Sequence, residues 1–394
     1  MQPRVRILLG VSAALAVFFA APASAFVRPT IRLLPDGDTP PVIYSAELRN
    51  PQRHNALLEA DLVVDADDND AIARFEYRWN YATYGVIHTT TVDRPRVSYA
   101  SVRPDTRYAL ELRAIDTHSN ASEWYPVWSG VTPSPPHIIV AGDSIASGYT
   151  RQWFMGVATC RDNDLSYGRT IVAELSSRLP ERWGPRYSNV AWAGAGVGNM
   201  VSGGKDSCGG THLSQLDRID LLATDDSWNI VVVTAGINST NWTDVIVGLT
   251  KDTAFSLTER GDQRACDLAL HDKWNIGTRR EVITSGTSTV TGELGERTNA
   301  RLFWTGYYDI TGTTLALRWT PIGGECQAEL DEATAELHSA IRAGLDADTT
   351  WVDIDDNITT QSWAGWPHPN ATGHETIGTS IAAAITGRWP TADG

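Results

Sequence analysis

Two short segments, far apart in the chain, hold a serine and a histidine in contexts suited to nucleophilic catalysis. Ser144 lies in the sequence GDSIASG, directly after the apolar run 137–141, so a buried strand would end in a turn that presents the hydroxyl. His368 lies in the sequence HPNATGH, just before the apolar helical run 377–385. A serine becomes nucleophilic when a neutral imidazole accepts its proton. We therefore predict Ser144 as nucleophile and His368 as general base, although Gly-Asp-Ser alone is also typical of an ordinary turn.

The segments that would position these two residues alternate between strands and helices. Short apolar runs predict buried strands, whereas segments that are apolar at every third or fourth residue predict amphipathic helices. The predicted strands cover 137–141, 230–234, 301–305 and 350–354, and the predicted helices cover 169–179 and 330–345. This order predicts an α/β domain in which helices wrap a parallel sheet.

Two further segments complete an ordered set of four sequence blocks. NVAWAG covers 189–194 and GIN covers 236–238, both between the serine and the histidine. The four blocks together resemble those of the SGNH, or GDSL, hydrolase family, and in their motifs those of its secreted actinobacterial lipases and esterases. The resemblance implies a three-layer α/β/α fold with a parallel sheet. It also implies an acyl-serine intermediate and an oxyanion hole formed by the N–H groups of Ser144 and Gly194 and the side chain of Asn238.

The chain departs from the family pattern at two positions. Ser239 stands where the third block usually has an acid, a change that leaves Asn238 available as a donor. Gly365 stands three residues before the histidine, where the family often has aspartate. A backbone carbonyl can also accept a hydrogen bond from an imidazole, so we predict a Ser-His dyad oriented by the carbonyl of Gly365. A triad completed by an aspartate that folds back remains open, the candidates being Asp353, Asp355 and Asp356.

The first part of the chain has a different pattern. Residues 42–131 form short alternating segments separated by polar turns, which predicts an antiparallel β-sandwich. The stretches 103–108 and 114–122 resemble the late strands of a fibronectin type III domain, which implies that the Tyr108 hydroxyl bonds to nearby backbone and that Trp79 faces it. We divide the chain into a signal peptide, 1–25; a fibronectin type III-like β-sandwich, 26–132; a proline-rich linker, 133–136; and a hydrolase domain, 137–390.

The N-terminus predicts export. Two arginines precede the apolar run 7–20, and the small residues of 21–25 suit signal peptidase. This run is shorter than the ~20 residues that span a bilayer, so we expect a secreted, extracellular protein without stable membrane anchoring. The formal net charge of −15 repels phosphate backbones and anionic headgroups, which argues against nucleic acid as a partner. We expect a monomer.

Four cysteines in an oxidising compartment favour two disulfides. Three pairings are possible, and we favour Cys160 with Cys208 and Cys266 with Cys326. The cysteine spacing includes no C-x-x-C pair, and no carboxylates stand beside the histidines at ligand spacing, so we predict no metal and no cofactor. Three other histidines are interpreted as surface groups and His374 as a residue that caps or bonds the last helix; the three are His212, His271 and His338.

The substrate class is less well defined by the sequence. Four tryptophans near the blocks either fill the core or form a wall for an acyl lipid or an acetylated sugar; they are Trp192, Trp242, Trp363 and Trp366. We expect a small-molecule ester, an acylated polysaccharide or a lipid as substrate, and residues 251–300 as a mobile lid or insertion. Because every block follows residue 132, removing 26–132 should spare the hydrolysis of small esters. An acyltransferase on this scaffold and a non-catalytic extracellular binding protein are the alternatives.

Overall fold

A computed structural model describes ten stretches of the chain. They are residues 39–49, 58–68, 71–81, 84–152, 157–159, 162–240, 276–308, 324–354, 363–365 and 368–387. The predicted signal peptide, 1–25, lies outside the described residues. Within them, no helix is both long enough and apolar enough to cross a membrane.

The N-terminal region consists of antiparallel strands. In its described residues the strands are β1 Val42–Leu48, β2 Glu59–Asp67, β3 Ile72–Tyr81, β4 Gly85–Val92, β5 Arg96–Ser98, β6 Arg107–Asp116 and β7 Tyr125–Val131. They form one sheet in the order β1-β2-β5 and a second in the order β4-β3-β6-β7. Alternate residues of β6 point inward, and Tyr108, Leu110 and Leu112 are buried. The period-2 pattern therefore predicted these strands correctly, and the region is consistent with a β-sandwich.

Aromatic side chains fill the core between these two sheets. Trp79 is fully buried and packs its ring 5.3 Å from Tyr99 and 6.0 Å from Tyr108, measured between ring centroids. The Tyr108 hydroxyl accepts a hydrogen bond from the Arg103 N–H at 3.3 Å. Both contacts that the sequence led us to expect of Tyr108 are therefore present.

The rest of the described chain has an α/β architecture. Its strands are β8 Ser134–Gly142, β9 Thr150–Gln152, β10 Val157–Thr159, β11 Arg186–Asn189, β12 Gly204–Lys205, β13 Thr211–His212, β14 Ser227–Thr234, β15 Arg301–Thr305, β16 Thr350–Val352, β17 Trp363–Gly365 and β18 His368–Pro369. Its α-helices are α1 Ser144–Ser147, α2 Tyr167–Arg178, α3 Val197–Ser202, α4 Gln215–Leu222, α5 Ile276–Arg297, α6 Gly324–Gly344 and α7 Ala371–Gly387. Short 3₁₀-helices cover Glu181–Trp183 and Ile237–Ser239.

A five-stranded sheet forms the centre of this region, in the order β11-β8-β14-β15-β16. All four strand pairings in it are parallel. Every residue of β14 is buried, as expected of a central strand covered on both faces. Helix α2 packs against α7, and α5 packs against α6, so helices cover the sheet in two layers. The predicted three-layer α/β/α fold with a parallel sheet is confirmed.

Two segments differ from what the sequence led us to expect. Strand β8 begins at Ser134, which pairs with Ser227 of β14, so most of the predicted linker 133–136 belongs to the central sheet. Residues 276–297, in the second half of the predicted mobile lid or insertion, form helix α5. This helix buries apolar side chains at Ile283, Val290 and Leu294. Burial of that face stabilises the helix despite its high content of glycine, serine and threonine. Residues 251–275 lie outside the described residues.

The β-sandwich and the α/β region share a hydrophobic cluster. Trp183 and Trp228, from the α/β region, are buried together with Tyr99 of the sandwich. The Trp228 ring lies 5.4 Å from the rings of both Tyr99 and Trp183, measured between centroids. The Trp183 indole N–H also donates to the Val102 carbonyl at 2.9 Å. The two regions are therefore joined by a packed aromatic contact and not by a linker alone.

Candidate active site

Ser144 lies at the carboxyl edge of the central sheet. Strand β8 ends at Gly142, and Ser144 is the first residue of helix α1. Gly142 has a φ of +121°, and a Cβ there would lie 1.9 Å from the Thr234 carbonyl oxygen, so only glycine fits this close approach to β14. The N–H of a first helical residue has no acceptor inside its helix. The turn thus presents both the hydroxyl and the N–H of Ser144 at this edge.

The structure brings Ser144 and His368 into direct contact. The Ser144 Oγ lies 2.9 Å from the His368 Nε2, although the two residues are 224 positions apart. His368 begins the short strand β18, in which it is paired with Gly365 of β17. Gly365 is thus the backbone neighbour of His368, as the dyad hypothesis requires. The hydrogen bond from His368 Nδ1 to the Gly365 carbonyl stays a prediction.

The surroundings of His368 favour its neutral form. Desolvation lowers the pKa of His368 to about 3, with a smaller contribution from the neighbouring imidazole of His374. The ring of Tyr149 packs against the His368 ring at 4.6 Å between centroids. Tyr149 is held in turn by its N–H, which donates to the Ser144 carbonyl at 2.9 Å. A neutral imidazole beside a serine hydroxyl can accept its proton.

Gly194 lies in a loop whose backbone is hydrogen-bonded to the first block and to Ser207. Its φ is +90°, and a Cβ at this position would lie 2.7 Å from the Ser207 Oγ, so the position requires glycine. Two residues earlier, the Trp192 N–H donates to the Gly142 carbonyl at 3.2 Å, which links this loop to the turn before Ser144. On the other side, the Ser207 N–H donates to the Ala193 carbonyl at 2.9 Å. The second block is therefore held beside the first.

Asn238 joins the third block to the second. It lies in the 3₁₀-helix Ile237–Ser239, and its Nδ2 donates to the Ala195 carbonyl at 3.2 Å. An amide nitrogen has two hydrogens, so this bond leaves a second donor. Ser239, which replaces the usual acid, accepts the Val197 N–H at 3.0 Å, at the start of α3. The four predicted blocks meet at one edge of the sheet, connected by these hydrogen bonds and the Ser144–His368 contact.

A buried polar network that sequence reasoning missed links the first and third blocks. Asp143 is fully buried, and its Oδ2 accepts a hydrogen bond from the Tyr307 hydroxyl at 2.6 Å. Its Oδ1 accepts the Ile145 N–H at 2.9 Å. Desolvation raises the pKa of Asp143 to about 7, although both of these hydrogen bonds lower it. The Tyr307 hydroxyl also accepts the Ile237 N–H at 3.0 Å. In the sequence, the only sign of this pairing is an aspartate beside the serine.

Three other polar residues that the sequence analysis named are also described by the structure. Asp353 forms an ion pair with Arg342 at 3.4 Å, so the structure gives it a partner other than His368. His338 is buried, and its Nε2 accepts the Tyr307 N–H at 2.8 Å, so its assignment as a surface group was wrong. His374 is buried inside α7, and neither of its ring nitrogens has a hydrogen-bond partner among the described residues, so the side-chain cap predicted for it is not seen there.

His212 and Trp192 form a second cluster close to Gly194. The His212 Nε2 lies 2.7 Å from the Asp206 Oδ2, so this histidine has the partner that the sequence did not reveal. Its ring stacks on Trp192 at 5.2 Å, and Trp192 is buried. Trp192 is therefore a core residue, as one of the two readings of the sequence proposed. The predicted wall residues Trp242 and Trp366 lie outside the described residues, as do His271 and the triad candidates Asp355 and Asp356.

Cysteines and possible metal ligands bear on the predictions of two disulfides and of no metal site. No group of three histidine, cysteine or acidic residues that could hold a metal ion occurs among the described residues. Of the four cysteines, Cys208 is not free. Cys160 and Cys266 lie outside the described residues, and the structure does not describe the side chain of Cys326. Both pairings therefore stay predictions.

Comparison with solved structures found several esterases and lipases of low sequence identity. An extracellular lipase from Streptomyces rimosus is 16% identical with a TM-score of 0.42, and the alignment covers 64% of this chain and 100% of the lipase. A carbohydrate acetylesterase from Sinorhizobium meliloti is 14% identical with a TM-score of 0.35, covering 64% of this chain and 99% of the esterase. An aryl esterase from M. smegmatis is 12% identical with a TM-score of 0.35, and the alignment covers 64% of this chain and 99% of the esterase.

Comparison with protein families gave a match over more than half of the chain. The GDSL-like Lipase/Acylhydrolase family matches residues 138–381, a range that includes all four blocks. No curated protein matches the chain. The family range begins within strand β8 and ends within helix α7, and so covers the central sheet with its helices. The chain therefore belongs to the GDSL-like lipase/acylhydrolase family and is a carboxylic ester hydrolase.

Proposed function

We propose that the protein is a secreted serine esterase that cleaves carboxylic esters of a lipid or an acylated glycan through an acyl-serine intermediate. The observation that carries this proposal is the 2.9 Å contact between Ser144 Oγ and His368 Nε2 at the carboxyl edge of the sheet. Open α/β sheets place their sites at this edge. The hydrogen bonds between the blocks bring Gly194 and Asn238 to the same edge.

The first half of the reaction forms the acyl-enzyme. Neutral His368 accepts the hydroxyl proton of Ser144 while the oxygen attacks the ester carbonyl carbon, which gives a tetrahedral oxyanion. The N–H groups of Ser144 and Gly194 and the Nδ2 of Asn238 donate hydrogen bonds to that oxyanion. Loss of one such donor typically costs about 3 kcal/mol of the barrier reduction. The intermediate collapses as His368 transfers its proton to the leaving alkoxide, and the alcohol departs.

The second half releases the acid. A water molecule gives a proton to His368 as its oxygen attacks the acyl carbon, and the second tetrahedral intermediate expels the Ser144 oxygen, which takes the proton back. The carbonyl of Gly365, the residue paired with His368 across the β17–β18 ladder, is the proposed acceptor for Nδ1–H. This would hold the imidazole in the tautomer whose Nε2 faces Ser144.

The test of this assignment uses Ser144→Ala. This substitution removes one hydroxyl at a helix N-terminus, so the fold should persist while ester hydrolysis is lost. A fluorophosphonate probe should label the wild-type protein at Ser144 and leave the folded alanine variant unlabelled. Retention of most of the activity by folded Ser144→Ala would refute the assignment.

Two further measurements address the finer parts of the proposal. A series of p-nitrophenyl esters of increasing chain length, run beside acetylated xylan, distinguishes a lipid substrate from an acylated glycan. N-terminal sequencing of the protein recovered from the medium tests export, and a first residue of Phe26 would agree with the proposed cleavage. The proposed domain division has a signal peptide at 1–25, a fibronectin type III-like sandwich at 26–132 and a hydrolase domain that ends at 390 and whose central sheet begins with β8 at Ser134.

A further inference from the structure

The Tyr307 hydroxyl lies between the first and third blocks and is hydrogen-bonded to a residue of each. It donates to Asp143 at 2.6 Å and accepts the Ile237 N–H at 3.0 Å. Asp143 is the residue before the nucleophile, and Ile237 is the residue before the proposed oxyanion donor Asn238. One phenolic oxygen is therefore bonded to the immediate neighbours of both groups.

The hydrogen-bond network of Asp143 and Tyr307 is buried, and the backbone of Tyr307 is hydrogen-bonded as well. Asp143 and Tyr307 are fully buried. The Tyr307 N–H donates to the His338 Nε2 at 2.8 Å, and the His338 ring packs against Trp351 at 5.4 Å between centroids. Burial lowers the pKa of His338, which keeps this imidazole neutral and its Nε2 able to accept. The tyrosine is thus fixed at its backbone as well as at its hydroxyl.

Hydrogen bonds of this kind matter more inside the protein than at its surface. A buried carboxyl and a buried N–H each lose water on folding and must find other partners. Oxyanion stabilisation depends on donors that are already aimed at the developing charge, so a small displacement of Asn238 relative to Ser144 lowers the rate of the chemical step.

We propose that Tyr307 is a positioning residue for ester hydrolysis, whose hydroxyl sets the spacing between the Ser144 turn and the Asn238 turn through Asp143 and Ile237. The inference rests on the proposed roles of Ser144 and Asn238. It assigns Tyr307 no contact with the substrate. Its effect should therefore appear in the chemical step and not in ground-state binding.

The experiment compares Tyr307→Phe with Tyr167→Phe by steady-state kinetics on a small p-nitrophenyl ester. Tyr307→Phe removes only the bridging hydroxyl, and we expect kcat to fall by about 10- to 100-fold while KM stays within about threefold. Tyr167 is also fully buried, and its hydroxyl bonds to the Thr234 Oγ1 at 2.8 Å, outside the bridge. Tyr167→Phe should lose similar thermal stability and keep a kcat within about threefold of wild type.

The outcomes separate positioning from general destabilisation. A wild-type kcat in folded Tyr307→Phe overturns the inference, and so does an equal loss of kcat in Tyr167→Phe. Should Tyr307→Phe fail to fold, Asp143→Asn replaces one carboxylate acceptor by an amide nitrogen. It should lower kcat at an unchanged KM, and a wild-type kcat in folded Asp143→Asn overturns the inference too. Fluorophosphonate labelling of Ser144 in wild type tests the proposed function independently, so either idea can fail alone.

Discussion

The aromatic contact between the two regions leads to a prediction about Tyr99. Its ring packs 5.3 Å from Trp79 in the sandwich and 5.4 Å from Trp228 in the α/β region, measured between centroids. Truncating a buried aromatic residue to alanine costs about 3–5 kcal/mol. If the regions unfold together, Tyr99→Ala should lower the stability of the hydrolase by that amount, although Tyr99 is outside the family range 138–381.

Urea denaturation followed by two probes measures this effect. With a denaturant slope of about 3 kcal/mol per M, a loss of about 3–5 kcal/mol moves the midpoint down by roughly 1–1.7 M. The midpoint should shift by the same amount when followed by residual esterase activity and by circular dichroism. Tyr84→Ala is the matched control, because Tyr84 belongs to the same sandwich and is 77% exposed. Its midpoint should move by less than about 0.3 M, since surface substitutions usually change stability by less than 0.5 kcal/mol.

Coupled unfolding of the two regions is refuted if Tyr99→Ala leaves the activity midpoint at the wild-type value while the sandwich unfolds earlier. The regions would then be independent, and the sequence-based expectation that 26–132 can be removed without harm would stand. With the contact as the structure shows it, removing 26–132 would expose the rings of Trp183 and Trp228 to water. We therefore expect the truncated enzyme to be less stable and to aggregate at a lower temperature than the full chain.

Three further predictions concern the site. Because the pKa of His368 is lowered to about 3, titration of this base should not reduce kcat/KM between pH 8 and pH 5, whereas an imidazole with a pKa near 6.5 would lose about 30-fold. The pKa of Asp143 is raised to about 7, so Asp143 titrates in this range, and the pH series is run on Asp143→Asn beside wild type. The same lowered pKa contributes a loss of stability as pH falls from about 6.5 toward 3, because the unfolded chain binds the proton first. The raised pKa of Asp143 contributes a gain as pH falls through about 7, because there the folded chain binds the proton first. Asp353→Asn, Asp355→Asn and Asp356→Asn should each lower kcat by less than about tenfold, whereas losing a triad aspartate costs ~10⁴. Gly142→Ala should lower the thermal midpoint by about 5 °C or more, because its Cβ would collide with the Thr234 carbonyl.

Each of these predictions has its own control. The pH series needs a correction for spontaneous hydrolysis, and a fall in kcat/KM centred near pH 6.5 in both wild type and Asp143→Asn would contradict the lowered pKa of His368. A thousand-fold loss in one folded aspartate variant would replace the dyad by a triad and name its third member. Gly198→Ala is the control for Gly142→Ala, because Gly198 is helical and a Cβ there meets nothing within 4 Å. A similar loss of stability in both alanine variants would show that the close approach to Thr234 is not the cause.

The sequence by itself determined the local features of this protein. The run 137–141 followed by GDS predicted a strand, a tight turn and a helix, and the structure has all three. Alternation within 42–131 predicted the strands of the sandwich, among them β3 and β6, because inward and outward positions are two residues apart. The family resemblance of the four blocks also predicted the parallel α/β fold. It identified the residues that lie together at the carboxyl edge of the sheet.

Only the tertiary structure decided which distant residues are partners. Tyr307 is 164 positions from Asp143, and Trp228 lies well over 100 positions beyond Tyr99. Periodicity reports that a side chain faces inward, but the partner that it meets depends on the order in which strands and helices pack. For this reason, the sequence pattern indicated that His338 is a surface group and that residues 133–136 are a proline-rich linker. In the fold, the strand pairing of Ser134 and the packing of His338 place both in the interior, where buried polar groups must be hydrogen-bonded.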